Sequence, residues 1–587
     1  MASSSNLNFA TPKPTSDTHS QFALNATAVA DWLSHLPSAN LGESTRQLFQ
    51  ALSELSHVDC NTKNRFEILE KIRPKVHYVT ESLSQYYLNK PIILLEKTKE
   101  IVLLAETLNT HLANGYCQTY QGFEAQNRLM RPKEAMATSL HRALTEHSCI
   151  LLRNYQLYRN TNPNFWKLLH SIYNCAQLSK LTKYKIEDKV HGDGTVLQAY
   201  LRPLMLACSR PHQLPKSQII DVYKALNQWT SAIELRSDRL ESCVFLLNPS
   251  DDAQPIYREL VKRALGPEWL GIDTKYILNP STLSKNKLHK KTVLNKKLPK
   301  YIIDQLSIAW SSSTSRTSDR VPCNEPALIV LGMNTAHFYI ANQLEFEHFK
   351  IHRDQAERSP NPFISDEKAD ELWSVNTGPD TRDLNSHSKE HLDIEFGEAP
   401  NTVETINYVL PSDHRVQAAS GNKHQYLRSR ILDTSSNGFR IELPEALKIH
   451  IRTGELIGIK TNDFDDWRLA VVRWLRSDDH YQMGVETLAT TATPYSMRIV
   501  HSNLAVQEYQ RAMLLPGGQL APSPLLLMPD ISGFSSEQIV ELIRPGHTML
   551  VKLGKSIACS NAFKLFTYSD ITRINISPEP RNSNQEH

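Results

Sequence analysis

The feature that most constrains this chain is a change of hydrophobic period partway along it. From near Ala28 to Leu240 apolar residues recur in steps of three and four, most clearly at Phe66, Leu69, Ile72, Val76, Val79, Leu83 and Tyr86, one stripe along a helix. Further stripes run through Leu94, Ile101, Leu104, Leu108 and Leu112, from Trp166 to Tyr173, and from Ile219 to Leu235. From Pro326 onward the texture changes to short strand-like runs: ALIVLGM, FRIEL, ELIGIK, WRLAVVRWL, YQMGVETL, LLLMP, TMLVKLG and FKLFTY, with Gly and Asp turns between them. A helical pattern cannot bury its stripe as a strand, nor the reverse. The chain therefore needs at least two cores of different class, and its 587 residues are enough for three or four domains.

The expected fold is multidomain α+β, an N-terminal all-α domain followed by an antiparallel β-barrel region with an inserted segment. Residues 1–26, rich in Ser, Thr, Asn and Pro, are expected to be a disordered tail, because they bury too little apolar surface to offset backbone entropy. Residues 27–240 form the helical domain, with Pro74 expected to kink or restart its helix. Trp166, Leu169 and Tyr173 have the spacing of a tetratricopeptide helix, but no 34-residue recurrence follows, so a bespoke bundle is expected. Residues 241–315 are a mixed connection: VFLLNP reads as a short strand and GPEWLGIDT as a loop. Seven lysines then fall between Lys285 and Lys300, either an anion or partner patch or a solvated helix face with Leu288, Val293, Leu294 and Leu298 turned inward. Residues 316–490 hold the barrel, interrupted by polar sequence at about 342–422, and residues 491–587 add further strands.

Composition narrows the function classes. Charged residues make up 22% and the net charge is +3, so nothing global calls for DNA, RNA or an anionic membrane, and any anion site must be local. The start shows no basic segment followed by an apolar one, and no window holds roughly eighteen uninterrupted apolar residues; the chain reads as soluble and cytoplasmic. The eight cysteines lie far apart without a CxxC pair and read as reduced thiols. His348 and His352, like His387 and His391, are spaced i, i+4 but lack a neighbouring Cys or the HExxH carboxylate, so no metal is expected. Leu553-Gly554-Lys555-Ser556 resembles the end of a phosphate-binding loop, yet Met549 stands where the first glycine is required. No nucleophile elbow, dinucleotide fingerprint or paired-carboxylate motif is present, and neither catalysis nor a cofactor is expected.

Two short motifs remain. Arg316-Thr317-Ser318-Asp319-Arg320 is an RxxxR immediately before a strand, and Asp433-Thr434-Ser435-Ser436-Asn437-Gly438 is a DxSxxG immediately before FRIEL. Taken singly, the first reads as a solvated linker and the second as a hairpin turn. Arginine can fork onto a phosphate, stack on a purine or bond the guanine edge. Asp433 can accept from guanine donors, Ser435 can bond phosphate or base, and Gly438 suits a turn of positive φ or a close backbone approach.

The pair of motifs, in this order and followed by Gly454–Ile459, Trp467–Trp474 and Met483–Glu486, resembles the signature of PilZ domains, from about Arg316 to Leu488. That resemblance implies a bacterial receptor for cyclic di-GMP, with Arg316, Arg320, Asp433, Ser435 and Gly438 as ligand contacts and the helical domain recruiting a protein partner. The other readings are an adaptor whose degenerate barrel binds no nucleotide, and an enzyme hidden in the helical half. Arg320 and Asp433 stand 113 positions apart, against a few tens in compact members of the family. An excursion about fourfold longer costs only about 1 kcal/mol of loop-closure entropy. Arg428 and Arg430 offer a competing basic pair, but their RSR spacing does not match RxxxR.

Overall fold

The computed structural model describes residues 11–571 apart from 38, 276, 278–297, 312–318, 351–391, 395–405, 409–423, 445–449, 465, 479, 501–507, 519–520, 531–533 and 561. The first helices, α1 (Ala26–His35), α2 (Leu41–His57) and α3 (Thr62–Leu88), are each opened by an asparagine, Asn25, Asn40 and Asn61, whose side chain accepts from first-turn backbone N–H groups. Next, α4 (Glu96–Glu124) packs against both α3 and α5 (Lys133–Gln156), burying Leu108, Leu112, Tyr116 and Tyr120. Pro74 does not end α3. It lies inside the helix, among the buried Ile72, Arg73, Val76 and Val79.

Residues 11–25, expected to be disordered, lie along α2 instead. Ser20 donates from its backbone and hydroxyl to Glu54 at 2.9 and 2.7 Å, Ser16 bridges Val58, and Phe22 is buried. The polar composition that suggested disorder supplies the hydrogen bonds that dock the segment.

The helical domain continues with α6 (Phe165–Leu178), the ribbon of β1 (Lys185–Ile186) and β2 (Gly194–Thr195), α7 (Val196–Cys208) and α8 (Lys216–Trp229). At its centre Arg73 meets Glu146 at 2.7 Å and forks onto both oxygens of Asp188 at 2.9 Å. Arg142 reaches the same aspartate at 3.0 Å, and Asn109 donates to the other Glu146 oxygen at 2.8 Å. Burial alone would raise both carboxyls, but His77 and Arg73 around Glu146, and Arg73 and Arg142 around Asp188, outweigh it and hold both well below the usual carboxylate range.

The connecting region is more ordered than expected. β3 (Glu234–Arg236), β4 (Phe245–Leu247), β5 (Ile256–Tyr257) and β6 (Leu270–Asp273) form a four-stranded sheet in the order β3-β6-β4-β5. GPEWLGIDT thus supplies a strand rather than a loop. Gly271 lies so close to the Cys243 side chain that a Cβ there would overlap it, and Trp269 is buried beside them. The lysine-rich stretch lies outside the described residues up to Leu298, which packs against the main core. Helix α9 (Lys300–Ser311) then buries Ile302, Leu306, Ala309 and Trp310.

The first barrel starts with β7 (Val321–Leu331) and the short helix α10 (Gly332–Ile340). Of the insertion, 342–350 and the backbone of β8 (Leu392–Ile394) and β9 (Ile406–Tyr408), an antiparallel pair, are described. β10 (Leu427–Ser435), β11 (Gly438–Glu442), β12 (Leu456–Thr461), β13 (Arg468–Ser477) and β14 (Tyr481–Ala489) close it in the order β10-β11-β14-β13-β12-β7. A second closed barrel follows, made of β15 (Thr493–Ile499), β16 (Gln510–Leu515), β17 (Leu525–Pro529), β18 (Ile539–Arg544), β19 (His547–Cys559) and β20 (Phe563–Asp570) in the order β15-β16-β17-β20-β19-β18. Closure removes the edge strands that an open sheet would expose. The two barrels share a core through Val330, Leu456, Met513 and Leu527, with Ala336 of α10 inserted.

The first barrel docks on the helical domain through the end of β13. Ser477 N–H donates to Tyr158 O at 2.9 Å, and Asp478 accepts from the Asn160 backbone and side chain at 2.9 and 2.6 Å. His212 Nδ1 hydrogen-bonds Leu475 O at 3.2 Å.

Candidate ligand-binding site on the first barrel

β10 and β11 are joined by the two-residue turn Ser436-Asn437, which sets Ser435 opposite Gly438. Counting back, Thr434 faces Phe439 and Asp433 faces Arg440, but Ile431 faces Ile441, so Leu432 is an extra residue on β10. Successive strand residues point to opposite faces, and a one-residue bulge exchanges them. Ile431 and Ile441 are fully buried. The bulge at Leu432 therefore turns Asp433 away from the interior and onto the face that carries Arg440.

There Asp433 sits between two arginines. Its Oδ1 accepts from Arg320 at 2.6 Å, and its Oδ2 lies 2.6 Å from Arg440 Nε as an ion pair whose N–H is not aimed along the contact. The carboxylate is 9% exposed, whereas Arg320 and Arg440 are 30% and 39% exposed, so both guanidinium groups keep donors facing solvent. The 113 positions between Arg320 and Asp433 close because β7 and β10 are hydrogen-bonded neighbours: Val321 pairs with Thr434 and Pro322 with Asp433. Arg320 stands one residue before β7 begins, so the strand pairing delivers it to the aspartate.

The other motif positions have local reasons. The Ser435 hydroxyl donates to Gly438 O at 3.2 Å and ties the turn shut. Gly438 does not take positive φ; a Cβ there would run into the carbonyl of Val485 on β14, so the close approach of two strands requires glycine. Arg316 lies outside the described residues. Arg430 faces Glu442 across the β10–β11 ladder.

Two residues were missed from sequence. Arg440 could have been found, since alternation in Phe439-Arg440-Ile441 puts the arginine on the outer face once Ile441 is placed inside. Trp474 is the other. The pairings Asp433–Arg440, Arg440–Gly484 and Gly484–Trp474 form one row across β10, β11, β14 and β13. The Trp474 indole lies where a Gly484 side chain would be, with the Arg476 guanidinium 5.9 Å from the ring centroid. Along the row stand a carboxylate flanked by Arg440 in the row and Arg320 beside it, a bare backbone and an aromatic plate. Such a row can take a ligand that combines phosphate with a planar, hydrogen-bonding base.

Three family models match the chain in succession: the N-terminal domain of the cyclic-di-GMP receptor FimW over residues 27–239, its middle PilZ domain over 244–494, and the FimW C-terminal beta-barrel domain over 495–571. The middle model thus takes in β4, β5 and β6 of the small connecting sheet and α9 as well as the first barrel, while β3 falls within the N-terminal model. Among curated proteins the chain is 27% identical over 585 residues to the cyclic-di-GMP receptor FimW of Pseudomonas aeruginosa, covering 97% of this chain and 95% of that protein. No solved structure matches it.

Proposed function

We infer that this chain, which belongs to the PilZ family through its middle domain, is a receptor for cyclic di-GMP rather than an enzyme. The observation that carries the reading is the Arg320–Asp433–Arg440 cluster on the outer face of the first barrel. The motif arginine that the sequence leaves 113 positions from its aspartate is in contact with it, which is the arrangement an adaptor with a degenerate barrel would lack. The relative of nearly equal length bears the name of a cyclic-di-GMP receptor.

In this reading Arg316 and Arg320 clasp the ligand from before β7, Asp433 accepts from a guanine's N–H groups, and Ser435 supplies a hydroxyl. Gly438 keeps the backbone close, and Arg440 and Trp474 extend the site along the row. Ligand phosphate competes with Asp433 for Arg320. The guanidinium exchanges one anionic partner for another, and the released carboxylate oxygen turns to the base. Trp474 is followed on β13 by Leu475 and Ser477, and just beyond the strand by Asp478, the residues that hold the helical domain. A shift of Trp474 on ligand binding therefore reaches the seam within four residues of one strand, and the helical domain, residues 27–240, presents the result to a protein partner. Among the described residues no helix is long and apolar enough to cross a membrane.

Isothermal titration of the full chain with cyclic di-GMP tests the reading. Wild type is expected to bind, and Arg316→Ala/Arg320→Ala to lose affinity at least tenfold, about 1.4 kcal/mol or more. Absence of binding by wild type, with the chain folded by circular dichroism, sinks the proposal.

A further inference from the structure

The helical domain carries a second constellation that the ligand reading does not use. His77 on α3, Cys149 on α5 and His191 in the turn between β1 and β2 bring Nε2, Sγ and Nε2 within 4.8 Å of one another. His77 Nε2 lies 3.4 Å from His191 Nε2, and Cys149 Sγ lies 3.6 Å from the same His191 nitrogen. With Zn–N near 2.05 Å and Zn–S near 2.3 Å, two ligands of a tetrahedral zinc ion stand about 3.4 Å apart if both are nitrogen and about 3.6 Å apart if one is sulfur. Both observed edges match. The two rings meet edge to face, 83° apart with centroids 4.5 Å from each other, and do not stack.

Hydrogen bonding can join His77 to Glu146 and Cys149 to His191, but leaves the close contact of the two ring nitrogens unused. A ring nitrogen offers one proton or one lone pair. Yet His191 Nε2 faces both His77 and Cys149, and His77 Nε2 faces both His191 and, at 2.9 Å, Glu146 Oε1. One cation at the common point would satisfy both imidazoles and the sulfur together. The surroundings are built to hold the ligands in place. The backbone N–H groups of Val190 and His191 donate to Asp188 Oδ1 at 3.0 and 3.2 Å, and that aspartate is clamped by Arg73 and Arg142. Gly192 follows His191 with φ of +88°, a turn that a side chain would strain. Glu146, one helical turn before Cys149, is fixed by Arg73 and Asn109 and places negative charge beside the cation.

We propose that His77, Cys149 and His191 bind a zinc ion that ties α3, α5 and the β1–β2 turn together, with Glu146 beside the fourth position. Two imidazoles and one thiolate form a borderline-soft donor set suited to zinc. On binding, Cys149 gives up its thiol proton to solvent as the Zn–S bond forms. The ion displaces Glu146 from the His77 nitrogen, because that nitrogen cannot both donate to the carboxylate and ligate the metal; the neutral ring moves its proton from Nε2 to Nδ1 through solvent. No oxidant or reductant takes part. The site is separate from the barrel row and does not depend on how that row is read.

The experiment uses the full chain, freed of metal with a chelator, titrated with Co2+ and then Zn2+, with metal content measured after desalting. Expected are about one ion per chain, the visible bands of a tetrahedral cobalt site, and a near-ultraviolet thiolate-to-cobalt band that Zn2+ removes. Cys149→Ser should abolish the thiolate band, and His191→Asn should weaken zinc binding at least tenfold. In case Cys149→Ser does not fold, the wild-type chain gives a second readout. Zinc should protect Cys149, mapped by peptide mass, from a thiol reagent, and chelation should expose it. Cobalt bound without a thiolate band, metal bound equally by Cys149→Ser, or Cys149 labelled at the same rate with and without zinc each overturns the proposal. Cyclic di-GMP titration of the same samples reports the barrel site independently.

Discussion

The arginine–carboxylate cluster in the helical domain and the one on the first barrel use the same two functional groups to opposite effect. Arg73, Glu146 and Asp188 are 3%, 0% and 0% exposed, and every carboxylate oxygen has a fixed protein partner. Arg320, Asp433 and Arg440 are 30%, 9% and 39% exposed, and only the aspartate is enclosed. In the buried cluster no arginine can change partner without leaving a charge stranded in a medium that solvates it poorly. In the surface cluster an arginine can release Asp433 and keep water or a ligand phosphate as its partner, so the exchange costs little. The buried cluster holds a fold, and the exposed one allows its arginines to change partner.

The largest expected effect tests the buried side. Arg73→Met removes the shared partner of Glu146 and Asp188 and leaves the two carboxylates with Arg142, His77, Asn109 and backbone N–H groups such as those of Val190 and His191. Urea unfolding should show a loss of about 3–5 kcal/mol, while the folded fraction should still bind cyclic di-GMP normally. A loss under about 1 kcal/mol would mean that the cluster is no structural centre, and the contrast with the barrel would fail.

Acid gives the next largest effect and sharpens the contrast. His212 at the helix–barrel seam is held down at about 4 by burial first and by Arg476 second, with Leu475 O and Asp478 opposing. His337 between the barrels is also held at about 4, by burial first, with Arg511 and His424 adding to it and Tyr495 O opposing. Both favour the neutral ring in the folded state. Their contribution is therefore complete above about pH 6.5, the unfolded value, and is lost as pH falls toward 4. The loss should approach about 3 kcal/mol for each at the acid limit. Glu146 and Asp188, held below the usual range, stay ionised through that window. His111 and His147 of the helical core titrate there too, so the seam term is the difference between wild type and His212→Gln in thermal melts at pH 7 and pH 4.5. Equal pH slopes for the two would remove His212 from the account.

What could be read from sequence divides along the same line. The change of period marks the helical half and the barrel region because each core repeats its own geometry over many residues. The second barrel was seen only in LLLMP, TMLVKLG and FKLFTY. Its strands Thr493–Ile499, Gln510–Leu515 and Ile539–Arg544 carry Pro494, Arg498, Arg511 and Glu541 among their apolar positions, which blurs the alternation. Asp433 was legible as a motif position but not as an outward-facing group, since the bulge at Leu432 leaves no mark in composition. The trio of His77, Cys149 and His191 was invisible for a different reason. Its members come from three segments, and the packing of α3 and of the β1–β2 ribbon against α5 brings them together.

On the barrel side, Arg440→Ala should lower cyclic di-GMP affinity about 10- to 100-fold, or about 1.4–2.8 kcal/mol by titration. The same change should move unfolding stability by no more than about 1 kcal/mol, because Arg440 is exposed and Asp433 keeps Arg320 as its partner. The inverse pattern, stability lost and affinity kept, would place Arg440 with Arg73 as a structural residue.

The smallest effect is expected at Arg473, and it decides whether position in the row matters or arginine density alone does. Arg473 neighbours Trp474 on β13 and pairs with Glu486 at 2.6 Å, the two side chains being 50% and 39% exposed. By distance this pair equals those of Asp433, but β13 bulges between Val472 and Trp474, so Arg473 has no partner in the ladder with Gly484 and Arg440. A pair so exposed is worth about 0–1 kcal/mol and is weakened by salt. Arg473→Ala should therefore leave stability nearly unchanged and alter cyclic di-GMP affinity less than about threefold, roughly 0.6 kcal/mol. Should it cost as much affinity as Arg440→Ala, with both losses shrinking alike in high salt, the barrel attracts phosphate by diffuse positive charge. If only Arg440→Ala costs affinity, and the cost persists in salt, recognition lies in the row from Asp433 to Trp474.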